Sequence, residues 1–291
     1  MEVASLDIGR RGGVSPFLKW PGGKRWLTGL LVPMLRQRLV GRYFEPFLGS
    51  GAMFLALQPK DALLSDLNEE LVDALRVIAD SPEEVVGAVW RLSNTAECYY
   101  RMRSAEPRSA VGKAARFLYL NRTAWGGIYR LNRDGEFNTP FGNSGRVICR
   151  LKPVLDAAGH FARADLKAID FETAMAMAAD GDVVYADPPY TGPSSGHESF
   201  MRYTSYRFDW ADQQRLASAA LGAYERGASI VVSGRAEFGI DALYPGWHAL
   251  SLSRSCRVSR RVDSRSSFNE ILLLSPNFDP ATSLRDQTGG P

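Results

Sequence analysis

The sequence predicts a doubly wound, Rossmann-like α/β fold, in which helices cover both faces of a mainly parallel sheet. The first observation is a predicted strand, Arg42 to Phe47, followed by the glycine turn Gly49-Ser50-Gly51 and an apolar helix, Ala52 to Leu57. The second is a short apolar strand, Ala62 to Ser65, directly after that helix. The third is that predicted strands and helices alternate again after residue 180. A strand, glycine turn, helix and strand in this order open such a sheet.

The other elements follow along the chain. Asn68 is a good N-cap for a helix with Leu71, Leu75 and Ile78 on one face. Residues 81–121 are predicted to be mostly helical, and Asp134-Gly135 indicates a hairpin. A helical, basic segment of roughly 70 residues therefore interrupts the sheet. The predicted later elements are the strand Val183 to Ala186, the helix Ala211 to Arg226, and the strands Ser229 to Ser233 and Glu270 to Ser275.

Composition limits the class of protein. No apolar run approaches the roughly 18 residues of a membrane helix, so we expect no membrane association. Cys98, Cys149 and Cys256 lie far apart without a CxxC pair, which predicts reduced thiols in the cytoplasm and no zinc site. The three histidines are scattered, so no metal site is predicted. Residues 81–150 hold 11 Lys/Arg and 6 Asp/Glu, net +5, which fits either a surface facing a polyanion or a solvated helical face.

The glycine turn indicates a ligand loop. In Phe44 to Gly51, two glycines let a ligand approach the backbone next to a helix N-terminus. Asp66 ends the second strand, where a carboxylate accepts hydrogen bonds from ribose hydroxyls, although it could simply begin a helix. The third position of a dinucleotide fingerprint is Phe54, which argues against a dehydrogenase. Arg25 after Lys24 likewise excludes a Walker phosphate loop, which needs Ser or Thr there.

Asp187-Pro188-Pro189-Tyr190, at the end of the predicted strand Val183 to Ala186, indicates the chemistry. Asp187 and the Pro188 carbonyl are hydrogen-bond acceptors, while neither proline has a backbone N–H to offer. The lone pair of an aromatic amino group is delocalised into the ring, so the nitrogen is a poor nucleophile. Two acceptors without competing donors would hold such a group so that its lone pair can attack a methyl donor. Tyr190 provides a flat face on which a base can stack.

These motifs together resemble one family. The chain resembles the Dam family of DNA adenine-N6 methyltransferases over residues 16–276, in segments that occur in the family's order. They are Phe17 to Lys24, Phe44 to Gly51, Ser65 to Asn68, Asn121-Arg122, Gly135 to Gly142, Ile169 to Phe171, Asp187 to Tyr190, Phe200 to Gln214 and Phe268 to Leu272. The resemblance implies methyl transfer from S-adenosylmethionine to adenine N6 in double-stranded DNA after base extrusion, with Asp187, Pro188 and Tyr190 as catalytic residues.

The resemblance also implies a cofactor site and a division of the chain. Lys24 is placed near the methionine end of the cofactor, Asp66 at its ribose, and Asp170 with Phe171 at its adenine. The implied cofactor-binding residues are Trp20, Gly22, Lys24, Glu45, Pro46, Phe47, Gly49, Gly51, Asp66, Asp170 and Phe171. We expect a catalytic domain of residues 16–80 and 146–278, a target-recognition domain of residues 81–145, a disordered lead-in of residues 1–15 and a loose tail of residues 279–291.

For DNA, the resemblance implies that Trp125 wedges into the duplex, Arg130 contacts a guanine and Lys19 approaches the target duplex. The alternatives are that Trp125 is a core residue of the hairpin and that Arg130 contacts a phosphate. The basic run from Arg254 to Arg265 could contact phosphates or be a solvated loop. Gly126 replaces an Asn that is frequent in the family, and Asn143-Ser144 replaces polar or aromatic residues. The target sequence therefore does not follow from the resemblance.

Rival functions remain at this stage. Another amino methyltransferase on the same scaffold would act on cytosine N4, RNA adenine or protein glutamine. Cytosine-N4 enzymes more often have Ser in place of Asp187, and glutamine-modifying enzymes have Asn. A catalytically silent DNA-binding protein is the rival from another class, and the intact motifs argue against it. A restriction endonuclease partner is possible.

Overall fold

The structure is a computed structural model that describes residues 2–3, 13–20, 22–132, 136–142, 148–190, 208–255 and 267–279. Within these residues, eight strands form one sheet in the order β1-β7-β8-β6-β5-β2-β3-β4. The strands are β1 Glu2–Val3, β2 Tyr43–Glu45, β3 Ala62–Ser65, β4 Asp165–Lys167, β5 Val183–Ala186, β6 Ser229–Arg235, β7 His248–Ser255 and β8 Ser267–Leu274. The strands from β6 to β4 are parallel, and β8 runs antiparallel to both of its neighbours.

The order of the strands creates a crevice. The chain passes from β2 outward to β3 and β4, then returns to β5 on the other side of β2. Ligands of open α/β sheets bind outside the carboxyl ends of the strands at such a reversal. The fold therefore predicts a site above the ends of β2 and β5.

Helices cover both faces of the sheet. They are α1 Thr28–Arg38, α2 Ala52–Leu57, α3 Glu69–Asp80, α4 Pro82–Trp90, α5 Ala96–Arg103, α6 Ala110–Thr123, α7 Leu151–Phe161, α8 Phe171–Met175 and α9 Trp210–Glu225. On β5, Val183 and Tyr185 belong to one hydrophobic cluster, and Val184 and Ala186 belong to another. Successive strand side chains point to opposite faces, so the two clusters lie on opposite sides of the sheet. Helices α1 to α7 contribute to the first cluster, and α8 and α9 to the second.

The helical segment packs on the first face. Val85 of α4 and Phe117 of α6 are buried in the same cluster as Leu71 of α3. Helix α4 contacts α6 and α7, and helix α6 also contacts α3. The proposed recognition domain therefore shares its hydrophobic core with this face of the sheet, and its exact limits stay a prediction.

Several predicted elements are confirmed at their stated bounds: the strands Ala62–Ser65 and Val183–Ala186 and the helix Ala52–Leu57. The Asn68 side chain accepts from Leu71 N at 2.9 Å and caps α3 as predicted.

Other predictions need correction. The strand predicted over residues 42–47 spans only Tyr43–Glu45, and Pro46, which has no N–H to donate, follows it at once. The final strand begins three residues earlier than predicted, and β1, β4, β7, α1, α7 and α8 were not predicted. Strand β1 forms within the lead-in predicted to be disordered, because its backbone pairs with strand β7. Leu131 pairs antiparallel with Phe137, as the predicted hairpin requires, while its tip lies outside the described residues.

Candidate active site

Four carboxylates gather at the crevice because each follows the carboxyl end of a parallel strand. Glu45 ends β2, Asp66 follows β3, Asp170 lies three residues beyond β4, and Asp187 follows β5. The four strands are neighbours in the sheet, so residues separated by up to 142 positions in sequence share one edge. The sequence predicted all four as site residues, and the sheet order brings them together.

Asp66 organises the glycine loop, residues 46–51. Its Oδ2 accepts from the backbone N–H of Gly49 at 3.0 Å, and its Oδ1 accepts from that of Asn68 at 2.9 Å. Burial raises the pKa of Asp66 above its ordinary value. A carboxylate has about four acceptor positions, so Asp66 retains capacity for ligand hydroxyls while it holds the loop.

Trp20 packs directly on that loop. Gly49 has a left-handed φ of 49°, and a Cβ there would lie 2.7 Å from Trp20 Cδ1. Gly51, with φ of 66°, precedes α2. A cavity of about 370 Å³ lies beside Trp20. It is lined by Pro16, Leu18, Lys19, Trp20, Gly23, Arg25, Ser50, Gly126 and Ile128. Segments from both predicted domains therefore form its walls.

Glu45 is a buried carboxyl group whose described hydrogen bonds support the base of the loop. Its Oε2 accepts from Tyr43 OH at 2.8 Å and from Phe54 N, in the first turn of α2, at 2.9 Å. Only 3% of the residue is exposed. Burial raises the pKa of Glu45 to about 8, although both hydrogen bonds oppose the rise.

Asp170 and Phe171 begin α8 beside an aromatic group. Asp170 caps the helix by accepting from Glu172 N at 2.9 Å, and it also pairs with Arg215 at 3.0 Å. Phe171 stacks on Phe47 with ring centroids 5.3 Å apart, so the glycine loop contacts the start of α8. Arg215 was not predicted, because it comes from α9, 45 residues away.

Asp187 has several close partners. Its Oδ1 accepts from Ser233 Oγ at 2.7 Å and from Tyr190 OH at 3.3 Å, and it lies 3.2 Å from Lys24 Nζ. The Asp187 side chain is 21% exposed, whereas that of Lys24 is only 5% exposed. Pro188 is buried. The motif therefore presents a partly accessible carboxylate on a rigid turn.

Lys24 lies at the centre of this group. Its ammonium is 4.4 Å from the centroid of the Tyr190 ring and 3.5 Å from Glu270 Oε1. Ser233 and Glu270 were not predicted as site residues. Ser233 could have been found, because it ends a predicted strand that pairs with β5, with Val232 opposite Ala186.

Most of the chain matches one known family. Residues 20–253 match the D12 class N6 adenine-specific DNA methyltransferase family. The chain belongs to this family. Membership confirms the predicted fold, the enzymatic class and the adenine-specific DNA methyltransferase function. The rivals that act on cytosine N4, RNA or protein, and the silent DNA-binding protein, are therefore set aside.

Relatives cover nearly the whole chain. The DNA adenine methylase of Escherichia coli (strain K12) is 33% identical over 275 residues, 89% of this chain and 94% of that protein. The type II methyltransferase M1.LlaDCHI of Lactococcus lactis subsp. cremoris is 30% identical over 269 residues, 89% of this chain and 94% of that protein. The type II methyltransferase M.MjaIII of Methanocaldococcus jannaschii is 30% identical over 298 residues, 90% of this chain and 99% of that protein.

Two of the predicted DNA-binding residues flank the junction between sheet and helical segment. Lys19 donates its backbone N–H to Asn121 Oδ1 at 2.9 Å and its ammonium to Arg122 O at 3.0 Å. Trp125 is 60% exposed in a 3₁₀ turn, Trp125–Gly127, so the hairpin core alternative is wrong. An exposed indole on a short turn is what a wedge requires.

Arg130 is anchored across the hairpin. Its Nε donates to Asn138 Oδ1 at 2.8 Å, and Asn138 N donates to Arg130 O at 3.0 Å. Because Asn138 fixes the guanidinium of Arg130, this side chain suits a contact of fixed geometry, either with a base or with a phosphate. Asn143, Ser144 and residues 256–265 of the predicted basic run lie outside the described residues.

In the described parts of the chain, no helix is long and apolar enough to cross a membrane. Within the same residues, no three His, Cys, Asp or Glu side chains are grouped so that they could hold a metal ion.

Proposed function

We propose that this methyltransferase transfers a methyl group from S-adenosylmethionine to N6 of an adenine extruded from double-stranded DNA, at a specific sequence. The observation that carries the proposal is the Asp187 carboxylate on its proline turn, beside Tyr190 and above the reversal of strand order. Asp187 and the Pro188 carbonyl would each accept a hydrogen bond from the amino group. These bonds favour a pyramidal nitrogen whose lone pair is free to attack.

The residues of the glycine loop fit this cofactor. Its left-handed glycines let Trp20 pack directly on the backbone, and Asp66 has acceptor capacity for ribose hydroxyls. Asp170 offers a carboxylate for adenine, next to the Phe171 ring, which is buried against Phe47. The proposed set is completed by Trp20, Gly22, Lys24, Glu45, Pro46 and Phe47. When bound, the cofactor supplies an electrophilic sulfonium methyl group.

The position of the Lys24 ammonium bears on the proposed reaction. The ammonium lies over the Tyr190 ring and next to Asp187, where the target base and its amino group would be placed. Lys24 would therefore have to leave Asp187 before the base enters. Glu270, 3.5 Å from the same ammonium, provides a second carboxylate to retain it. Tyr190 would then stack the extruded base and offset part of the unstacking cost of a few kcal/mol.

The proposed interface with duplex DNA comprises Trp125 as the wedge, Arg130 as a guanine contact and Lys19 close to the target. The exposure of Trp125 and the net charge of +5 over residues 81–150 support it. The type II names of two relatives support the further proposal that a restriction endonuclease of the same specificity accompanies the enzyme.

The test uses Asp187→Ala, with unmethylated genomic DNA as substrate and mass spectrometry of nucleosides to measure N6-methyladenine. We expect turnover below about 1% of wild type, because losing a preorganised charged acceptor costs about 3 kcal/mol or more. Affinity for sinefungin, an unreactive cofactor analogue, should stay within about tenfold, one tenfold step being about 1.4 kcal/mol. Sequencing of the methylated wild-type product gives the target sequence.

Asp66→Ala is the reciprocal variant. It should weaken sinefungin binding by a larger factor than Asp187→Ala does. Asp165→Ala is the matched control, because Asp165 lies at the start of β4 and pairs with Arg42 and Lys167. The proposal fails if wild type makes no N6-methyladenine. The residue assignment fails if Asp187→Ala keeps more than about 1% of turnover or Asp66→Ala binds sinefungin normally.

A further inference from the structure

Tyr129 is a buried tyrosine, only 3% exposed, that immediately precedes Arg130. Its ring stacks on Trp20 with centroids 5.7 Å apart and planes 22° apart. Its hydroxyl donates to Glu70 Oε2, and burial raises the pKa of Tyr129 well above its ordinary value. A buried hydroxyl needs such a partner, so both the ring and the hydroxyl of Tyr129 are fixed.

Both partners of Tyr129 are joined to the proposed cofactor site. Trp20 packs on Gly49 so closely that no Cβ would fit there. Glu70 lies in the first turn of α3, two residues after Asn68, whose N–H donates to Asp66. Arg116 binds the other oxygen of Glu70 at 2.8 Å and fixes that carboxylate. Tyr129 thus contacts the glycine loop through Trp20 and the Asp66 turn through Glu70.

On its other side, Tyr129 belongs to the hairpin that carries Arg130. The Phe137 ring, on the opposite arm, lies 5.3 Å from the Tyr129 ring. The preceding Gly127 packs on Lys19, since a Cβ at Gly127 would lie 2.3 Å from Lys19 Cδ. A shift of Trp20 or of the first turn of α3 would therefore displace Tyr129 and with it the backbone of Arg130.

We propose that Tyr129 is a positioning residue that couples cofactor binding to DNA recognition. An occupied cofactor site fixes Trp20 and the turn after Asp66, and Tyr129 then holds Arg130 in its binding position. The inference rests on the proposed function, because it requires a cofactor at the loop and DNA at the hairpin. Coupling must be reciprocal, so sinefungin should tighten DNA binding and DNA should tighten sinefungin binding by the same factor.

The experiment measures the affinity for a duplex that carries the sequenced target, with and without saturating sinefungin. The ratio of the two affinities is the coupling factor, and we expect about fivefold or more for wild type. Y129F removes the hydroxyl contact with Glu70 and keeps the ring, so its factor should fall by at least half. Y129L removes the stack on Trp20 as well and should bring the factor to about one.

Y119F is the matched control. Tyr119 is also fully buried and donates its hydroxyl to Ser93 O at 2.8 Å, but that contact lies within the helical segment. This variant should lose stability as Y129F does and keep the wild-type coupling factor. The inference is overturned if wild type shows no coupling, if Y129F keeps the wild-type factor, or if Y119F loses it equally. Failure of wild type to bind sinefungin or to methylate DNA would instead overturn the proposed function.

Discussion

At the scale of single residues, the buried carboxyl group of Glu45 links the site to pH. Its ordinary pKa of 4.5 is raised to about 8 in the folded protein by burial, with the neighbouring Asp187 adding to the rise. Between these values the folded protein keeps the Glu45 proton that the unfolded chain loses. The contribution of Glu45 to stability is therefore fully present below about pH 4.5 and is lost as the pH rises toward about 8.

Glu45→Gln tests this linkage. A Gln side-chain oxygen can still accept from Tyr43 OH and Phe54 N, but it cannot titrate. Between pH 5 and pH 9 the free energy of unfolding of wild type should fall by at least about 1 kcal/mol more than that of the variant, since one pKa unit is about 1.4 kcal/mol. Urea unfolding at several pH values measures both. Parallel pH profiles for the two proteins would show that Glu45 does not titrate in this range.

Single residues also show how far sequence reasoning reaches. Asp187 and Asp66 could be predicted because each stands in a local motif at the end of a strand. Glu270 could not, because its approach to Lys24 depends on β8 entering the sheet antiparallel beside β6. Arg215 likewise meets Asp170 only because α9 packs against α8. Partners of this kind follow from the order of the elements, which local patterns do not specify.

At the scale of elements, the glycine loop and Trp20 form one packed unit. A side chain at Gly49 meets two obstacles, a φ of 49° and a Cβ position 2.7 Å from Trp20 Cδ1. Left-handed backbone at a non-glycine residue costs about 1–3 kcal/mol even where space is free. The loop therefore depends on glycine for its conformation and also for the position of Trp20.

Gly49→Ala should destabilise the protein by more than about 1 kcal/mol in urea unfolding. It should also weaken sinefungin binding by about tenfold or more, because Trp20 must move; tenfold is about 1.4 kcal/mol. Gly87→Ala is the control, since Gly87 lies within α4 and a Cβ there meets no atom within 4 Å. That change should stabilise by about 0.5–1 kcal/mol. Equal stability and affinity for the two variants would contradict the packing argument.

Elements differ in how well the sequence predicts them. The buried strands β3 and β5 and the capped helix α3 carry strong local signals, namely continuous apolar residues and an N-cap. The edge strand β4 is only Asp165–Lys167, and Leu166 alone is buried, so its pattern is too short to detect. The helical segment was predicted as a separate insertion, yet its apolar faces complete the cluster on α3, which composition does not indicate.

At the scale of the whole molecule, the net positive charge lies in residues 81–150. Residues 81–150 carry a net +5, while the rest of the chain carries −2 and holds the four carboxylates at the crevice. A basic segment would bind the phosphate backbone without regard to base sequence. Specificity must then come from residues that contact base edges, and Arg130, whose Nε donates to Asn138 at 2.8 Å, is the first candidate.

Arg130→Ala tests that assignment. If Arg130 forms a bidentate contact with guanine, discrimination worth about 1–3 kcal/mol is lost at one position of the target sequence. The variant should then accept other bases at that position roughly 5- to 150-fold more readily. Asn138 accepts from Nε at 2.8 Å and from Nη2 at 3.4 Å, so the contact would use Nη1 and the second N–H of Nη2. Asn138→Ala should therefore show a weaker loss at the same position.

Methylation rates on duplexes with single base substitutions, measured at two salt concentrations, separate a base contact from a phosphate contact. Loss of a phosphate contact weakens binding to all sequences alike and reduces the salt slope by about one. Arg108→Ala, at an exposed position of the same segment, is the control and should leave the preference at every position unchanged. A uniform loss for Arg130→Ala would make it a backbone anchor. Recognition would then have to come from elsewhere, with Lys19, fixed between Asn121 and Arg122, as the next candidate.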